Sequence, residues 1–480
     1  MAPSSSTALL QRVLARVEEL EARVSELETE NAALRADNAE LKRENTQLKK
    51  ENAELRRRLG LDSTTSSQPP STDKPWKKKP APRSLRTRSG KKPGKQPGDP
   101  GTTLSQVTDP DQVIDHHPST CAGCAQPLTQ ARHRGARRCQ VFDLPPPAGL
   151  QVTEHRYHRL ACVCGHATTA EPAPGAGAPA GYGPRLAATG AYLMSAHHLP
   201  VERTAEILAD LCGAPVSTGW LAGLAGRAHT LLEDFDAWVR RAITASPVVH
   251  ADETGARAAG AGHWVHVAGT DALTCYDIHP KREREAMEAF KVLPTFAGTL
   301  VTDALGSYSI YGSAHQLCCA HLLRELNALV EFEPDHAAWA QNMKEVLIGA
   351  RDLVAQARSQ GHAALRDEER DDIGRRYARV IAFAKAGPAH PLIRRLDVRR
   401  ADYLRFAADF GVPFTSNAAE RDLRMIKLQV KVSGGWRTLA GAEYFCRIRS
   451  FVSTLKKQGL TVLDKLTELF AGNAWIPSTT

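Results

Sequence analysis

Leucine recurs at every seventh residue, from Leu20 through Leu27, Leu34, Leu41 and Leu48 to Leu55. A 3.5-residue repeat keeps these side chains on one stripe of a helix, and such a stripe is buried only against a second helix. The companion seam positions hold Val17, Val24, Asn31, Asn38, Asn45, Asn52 and Leu59. Asn at this seam costs stability but favours a parallel pair in register, where each amide meets its mate. Glu30 with Arg35, Asp37 with Lys42, Glu44 with Lys49 and Glu51 with Arg56 are opposite in sign across a parallel homodimer. Residues 1–60 are therefore expected to form a leucine-zipper coiled coil and to pair two copies of the chain.

The net charge of +9 is concentrated in one place. Lys74, Lys77, Lys78, Lys79, Arg83, Arg86, Arg88, Lys91, Lys92 and Lys95 form one stretch without an acid, which leaves the rest of the chain near neutral. Residues 61–106 are rich in Ser, Pro, Gly and cations, so a disordered linker that tracks DNA phosphates is expected there, densest at Lys77, Lys78 and Lys79. A soluble linker without that role is the plainer reading. The chain opens without a charged-then-apolar leader, and no apolar run approaches a membrane span. The expectation is a cytoplasmic protein with no membrane partner, its ten cysteines serving as thiols or metal ligands.

"CAGC" at 121–124 and "CVC" at 162–164 bracket the strand-like "QVFDL" and "LQVTEHRYHRLA". Two cysteine pairs at the ends of a small β-rich unit (107–168) predict a structural Zn²⁺ held by Cys121, Cys124, Cys162 and Cys164. Cys139 or His166 is an alternative for one ligand. "EPAPGAGAPAGYGP" makes 169–184 a linker. Residues 185–245 read as helical, with Ser217 or Thr218 placed as an N-cap after a Gly-containing turn. This suits a helix-turn-helix or an ordinary helical pair equally.

Beyond the helices, "SPVVHADETG" is a short apolar run ending in Asp252, and "GTLVTDALGSY" is another ending in Asp303. "HWVHVAGTDALTCYDI" between them reads as a hairpin around Gly269 and Asp271. An acid at the end of a buried strand is costly unless paired or bound to metal, and two adjacent strands of this kind would bring both carboxylates to one edge. A helical, highly charged stretch at 334–411 reads as an insertion between 246–333 and 412–480. Then "NAAERDLRMIKLQVK" sets Glu420 in line with Arg424, Lys427 and Lys431 on one helical face, with Asn417 as the expected cap. Asp, Asp, Glu on strand, strand and helix is the order of a ribonuclease H-like α/β core, and hard oxygen ligands suit Mg²⁺. His250, Glu253 and His266 read as structural or as supports of that site.

Taken in order, the zipper, the paired cysteines, "HADET", "VTDALGSY", "CCAH", "NAAERDLRMIK", "KVSGGWRT" and "FVSTLKKQG" resemble the DDE transposases of the bacterial insertion sequence sixty-six family. The resemblance covers nearly the whole chain. It implies a multidomain α+β protein: coiled coil, zinc-binding module, ribonuclease H-like core with a helical insertion, and C-terminal helices. It implies an enzyme that cuts phosphodiesters at the element's terminal inverted repeats and joins the freed 3′ hydroxyls to target DNA, working on the nucleoid, with accessory proteins as further partners. Asp252, Asp303 and Glu420 become the acids that hold two Mg²⁺ or Mn²⁺ ions. His321, with Cys318, matches a Cys-x-x-His motif that supports handling of the DNA strands. Two departures stand out: Ser416 precedes Asn417 where members commonly read Asn-Asn, and the second cysteine pair lacks one spacer residue. The competing readings are a ribonuclease H-like nuclease or resolvase without joining, and a non-catalytic zipper DNA-binding protein. The latter normally carries its basic region before the zipper, whereas here it follows.

Overall fold

The computed structural model describes residues 178–477 without a break, most of 105–172, and near the N-terminus residues 34–45 with a few positions before them. Residues 34–45 are helical, with Leu34 and Leu41 exposed on the single chain. Most of the zipper, and the basic arm with Lys77, Lys78 and Lys79, lie outside the described residues. Contacts divide the chain into two compact units, one containing 315–415 and the other the described residues from 105 to 314 together with 416–477.

The larger unit opens with a small antiparallel hairpin, β1 (Arg159–Ala161) and β2 (Ala167–Thr169). "QVFDL" and residues 150–158 are not strands. Their apolar side chains Val141, Leu144 and Val152 are exposed. Four helices follow: α1 (Pro184–Ala196), α2 (Val201–Cys212), α3 (Thr218–Leu231) and α4 (Glu233–Thr244). Gly213 ends α2 in the left-handed region, and Ser217 caps α3 by accepting the Trp220 N–H at 3.2 Å. The central sheet comprises β3 (Val248–Ala258), β4 (Ala261–Gly269), β5 (Thr274–His279), β6 (Thr299–Thr302) and β7 (Ala314–Leu317), in the order β5-β4-β3-β6-β7. β3 pairs antiparallel with β4, as β4 does with β5, while β3 and β6 run parallel. α5 (Arg284–Phe290) lies in the connection from β5 to β6.

One strand is longer than its sequence suggests. β3 continues past Asp252 to Ala258, so this acid lies inside a strand rather than at its end. Gly255 masks the continuation in the sequence, but pairing with Trp264 of β4 carries the backbone through it. Ala259 and Gly260, both with positive φ, then turn the chain into β4.

The second unit is helical: α6 (Cys319–Phe332), α7 (Pro334–Ser359), α8 (Asp367–Lys385), α9 (Pro391–Val398) and α10 (Arg400–Ala408). Leu322, Leu326, Trp339, Met343, Leu347, Tyr377 and Phe406 share its core, and the buried Tyr377 hydroxyl donates to Leu396 O at 2.9 Å.

The chain then returns to the larger unit as α11 (Asn417–Ser433), α12 (Leu439–Lys457) and α13 (Val462–Phe470). Strand alternation sorts the two faces of the sheet. Val249, Ala251, Ala268, Cys275 and Leu300 join α1–α4, α12 and α13 in the main core. Ala256, Ala258, Val265, Val267, Tyr276 and Ile278 face the other way, onto Ala419, Leu423 and Ile426 of α11 and the first turns of α12. Among the described residues no helix is long and apolar enough to cross a membrane.

Candidate active site

The pairing of β3 with β6 matches Val248 to Thr299, Val249 to Leu300 and His250 to Val301. Asp252 and Asp303 are separated by the same 51-residue offset, with Asp252 inside β3 and Asp303 immediately after the end of β6. Alternation from Val249 and Ala251 in the main core turns Asp252 to the α11 face. Both acids are half-buried. Local hydrogen bonds steady them: Asp252 Oδ1 accepts the Glu253 N–H at 2.8 Å, and Asp303 Oδ1 accepts the Leu305 N–H at 2.9 Å.

Glu420 arrives on α11, whose direction is fixed at both ends. Near its start, Asp422 Oδ2 accepts from Lys457 Nζ at 2.8 Å and from the Thr274 hydroxyl at 3.2 Å. Thr274 pairs with Gly269, and Gly269 with His250. Beyond its end, the Trp436 N–H donates to Arg257 O at 2.9 Å and the Ala259 N–H to Trp436 O at 3.0 Å. The helix therefore runs along β3 in the strand's own direction. Ala419, Leu423 and Ile426 form its packed stripe, with Glu420 and Asp422 on opposite flanks, about 200° apart. Asp422 reaches to the β4–β5 side, and Glu420 lies on the other flank of the helix. The cap differs by one residue from expectation. Ser416, not Asn417, occupies the N-cap and makes no side-chain cap bond, which moves Glu420 out of capping-box register.

Arg424 and Lys431 are exposed and Lys427 is half-buried along the Glu420 flank. His321 lies in the first turn of α6, in the second unit, whose N-cap residue is Cys318.

Sequence reasoning marks Glu253 as structural or supporting but misses its partners. Glu253, next to Asp252, points to the opposite sheet face, where its side chain is 1% exposed. It accepts from the Tyr308 hydroxyl at 2.6 Å and from Arg282 Nε at 2.8 Å. Arg282 in turn lies over the Trp264 ring, 4.8 Å from its centroid. Burial, followed by the charges of Glu253 and Asp252, pushes the Tyr308 phenol well above its usual range, so it remains a donor. Tyr308 closes the motif "VTDALGSY", but nothing local to that motif names Glu253 as its partner. His250 and His266 are buried, and burial pushes both down to about 4, which keeps them neutral near pH 7.

Cys121 and Cys124 occupy a tight turn closed by the Ala125 N–H to Cys121 O bond at 2.8 Å. Cys162 and Cys164 occupy the β1–β2 turn, closed by the Cys162 N–H to His166 O bond, also 2.8 Å. The Cys124 amide lowers the pKa of the Cys121 thiol, and the Cys164 amide does the same for Cys162. Among the described residues, no three acidic, histidine or cysteine side chains are drawn together closely enough to hold an ion. The donor chemistry nonetheless fits: oxygen donors alone from the three acids for Mg²⁺, and paired thiols on tight turns for Zn²⁺.

The fold is that of a mixed α+β protein, with Asp252 on β3, Asp303 just past β6, and Glu420 on a helix that also carries Arg424, Lys427 and Lys431. Residues 180–444, more than half of the chain and spanning all three acids, match the family described as Transposase IS66 family, and the chain belongs to that family. Residues 11–105 match a family of unknown function. No curated protein matches the chain.

Proposed function

We propose that this protein cuts DNA phosphodiester bonds at the ends of an insertion sequence and joins the freed 3′ hydroxyls to target DNA. The observation that carries this reading is the family match over 180–444, which contains Asp252, Asp303 and Glu420; the parallel pairing of β3 with β6, at the 51-residue offset that separates the two aspartates, supports it. The order β5-β4-β3-β6-β7, with three antiparallel strands and then a parallel one, supports a ribonuclease H-like core. Asp252, Asp303 and Glu420 would hold two Mg²⁺ or Mn²⁺ ions. When bound, such a pair activates an attacking oxygen and stabilises the leaving one. Arg424, Lys427 and Lys431 bind phosphates along the strand being cut, and His321 contributes a further DNA contact. Lys77, Lys78 and Lys79 add contacts independent of sequence, and the zipper pairs two protomers so that two ends meet. The site of action is the bacterial cytoplasm, on nucleoid DNA.

The test is a joining assay with purified full-length protein, Mg²⁺, labelled duplexes carrying the element's ends, and a plasmid target. Products with 3′ ends covalently joined to the plasmid are expected. Cleavage without joining would reassign the protein as a nuclease or resolvase, and binding alone as a non-catalytic DNA-binding protein.

A structural zinc at Cys121, Cys124, Cys162 and Cys164 belongs to the same proposal. The segment around these thiols buries almost no apolar side chain, with Val141, Leu144, Val152 and Val163 all exposed. A small unit without a core depends on a metal or a partner for order. Metal analysis should find about one zinc per chain, and Cys121→Ser should increase hydrogen exchange within 107–168 alone. A metal-free preparation in which this segment is well protected would refute the assignment.

A further inference from the structure

We infer that Glu253 is a positioning residue for the aspartate pair, acting through Tyr308 and Arg282; the inference rests on the proposed two-metal reading. Asp252 and Asp303 are held unequally. β6 is four residues long and ends at Thr302, so Asp303 begins a loop rather than ending a ladder. Beyond the local bond from the Leu305 N–H, something must hold that loop against β3 if the two carboxylates are to share ions. Tyr308 does so. It sits in the 3₁₀ turn Gly306–Ile310, five residues after Asp303, and its ring is buried in the main core. Its hydroxyl reaches Glu253 Oε2 at 2.6 Å, on the residue that follows Asp252.

Glu253 Oε1 is occupied separately. Arg282 Nε and Nη2 both lie 2.8 Å from it, which ties the segment after β5 to the same point. One buried carboxylate thus collects the Asp303 loop and the β5–α5 connection onto the strand that carries Asp252. Because β3 alternates, Glu253 does this from beneath the sheet, where it is not itself a ligand. Groups that fix the orientation of metal-binding carboxylates control affinity without touching the ion. Arg282 also balances the charge of Glu253, so that three neighbouring acids do not all press against one another.

The arrangement predicts that losing a single hydroxyl should loosen metal binding. Tyr308→Phe keeps the ring and its packing but deletes the bond to Glu253. Glu253→Gln keeps the shape but removes the ionic partner of Arg282. Full-length wild type and both variants would be titrated with Mn²⁺ and followed by electron paramagnetic resonance, with Asp252→Asn as the control that removes a ligand. Thermal unfolding and binding to element ends would be recorded on the same samples. Tyr308→Phe should weaken Mn²⁺ binding about tenfold, and should shift the Mg²⁺ concentration for half-maximal cleavage by the same factor, with end binding unchanged. Saturating metal should restore most of its cleavage. Glu253→Asp, too short to reach both partners, should behave like Tyr308→Phe and not like wild type. If Tyr308→Phe and Glu253→Gln only lower the melting temperature and bind Mn²⁺ as wild type does, the assignment is overturned while the two-metal reading stands. If Asp252→Asn itself leaves Mn²⁺ binding unchanged, the two-metal reading fails and the assignment falls with it.

Discussion

Glu420→Gln should abolish both cleavage and joining in Mg²⁺ while leaving the fold and the binding of element ends nearly intact. The side chain is half-buried and lies on the flank of α11 rather than in its packed stripe, so the substitution removes charge without opening a cavity. In the proposed site two divalent ions would need that charge, and loss of any one acid would disable it, so Asp252→Asn and Asp303→Asn should behave alike. Asp422→Asn, two residues along the same helix, should do something different in kind. Asp422 is paired with Lys457 at 2.8 Å, with both side chains less than a fifth exposed. Removing its charge should cost about 2 kcal/mol of stability, near the lower end for a partly buried pair. The carbonyls of Thr270 and Leu273, which also accept from Lys457 Nζ, keep the loss from being larger. On a pre-cleaved end, below its lowered melting temperature, the Asp422 variant should join and the Glu420 variant should not. The opposite result would mean that α11 presents the other flank to the aspartates.

Gly435→Ala should be among the most damaging single substitutions outside the acids. Gly435 has φ +139, and a methyl group there would meet Arg257 O at 2.5 Å and Arg257 Cβ at 3.0 Å. Backbone cannot give way as a side-chain tip does, so the segment after α11 must lift off the end of β3. That breaks both bonds between Trp436 and the Arg257–Ala259 turn and disturbs the packing of Trp436 on Phe445. Strain plus two lost hydrogen bonds puts the expected loss at about 3–5 kcal/mol. Gly434 is the internal control. It caps α11 in the left-handed region, and a methyl group added there would meet nothing within 4 Å, so Gly434→Ala should cost only about 1 kcal/mol. Chemical unfolding separates the two, and hydrogen exchange should show the Gly435 variant loosening α11 from its C-terminal end. Equal, small losses would mean that this strap does not anchor the helix.

Several local features could be read along the chain. The offset of 51 residues between Asp252 and Asp303 reappears in the register of β3 with β6, because two apolar runs of parallel strand align residue by residue. The spacing of Glu420, Arg424, Lys427 and Lys431 placed them on one flank of a helix, since helical periodicity is a local property. A cap at Ser217 or Thr218 was recognisable for the same reason, and it is Ser217 that caps the helix. Local signals failed where pairing overrides propensity. The apolar run read as ending at Asp252, whereas β3 pairs with β4 as far as Ala258, and the apolar residues of "QVFDL" suggested a strand where the structure has none.

The sequence by itself determined which residues carry charge, which faces of each strand and helix are apolar, and the order of motifs that marks the family. Those are properties of spacing, and spacing survives without a fold. Only the tertiary structure showed what lays α11 along β3, because that depends on Asp422 finding Lys457 and Trp436 finding Arg257. It alone joined Tyr308 and Arg282 to Glu253, residues far apart in the chain that meet because one buried carboxylate needs partners on two sides.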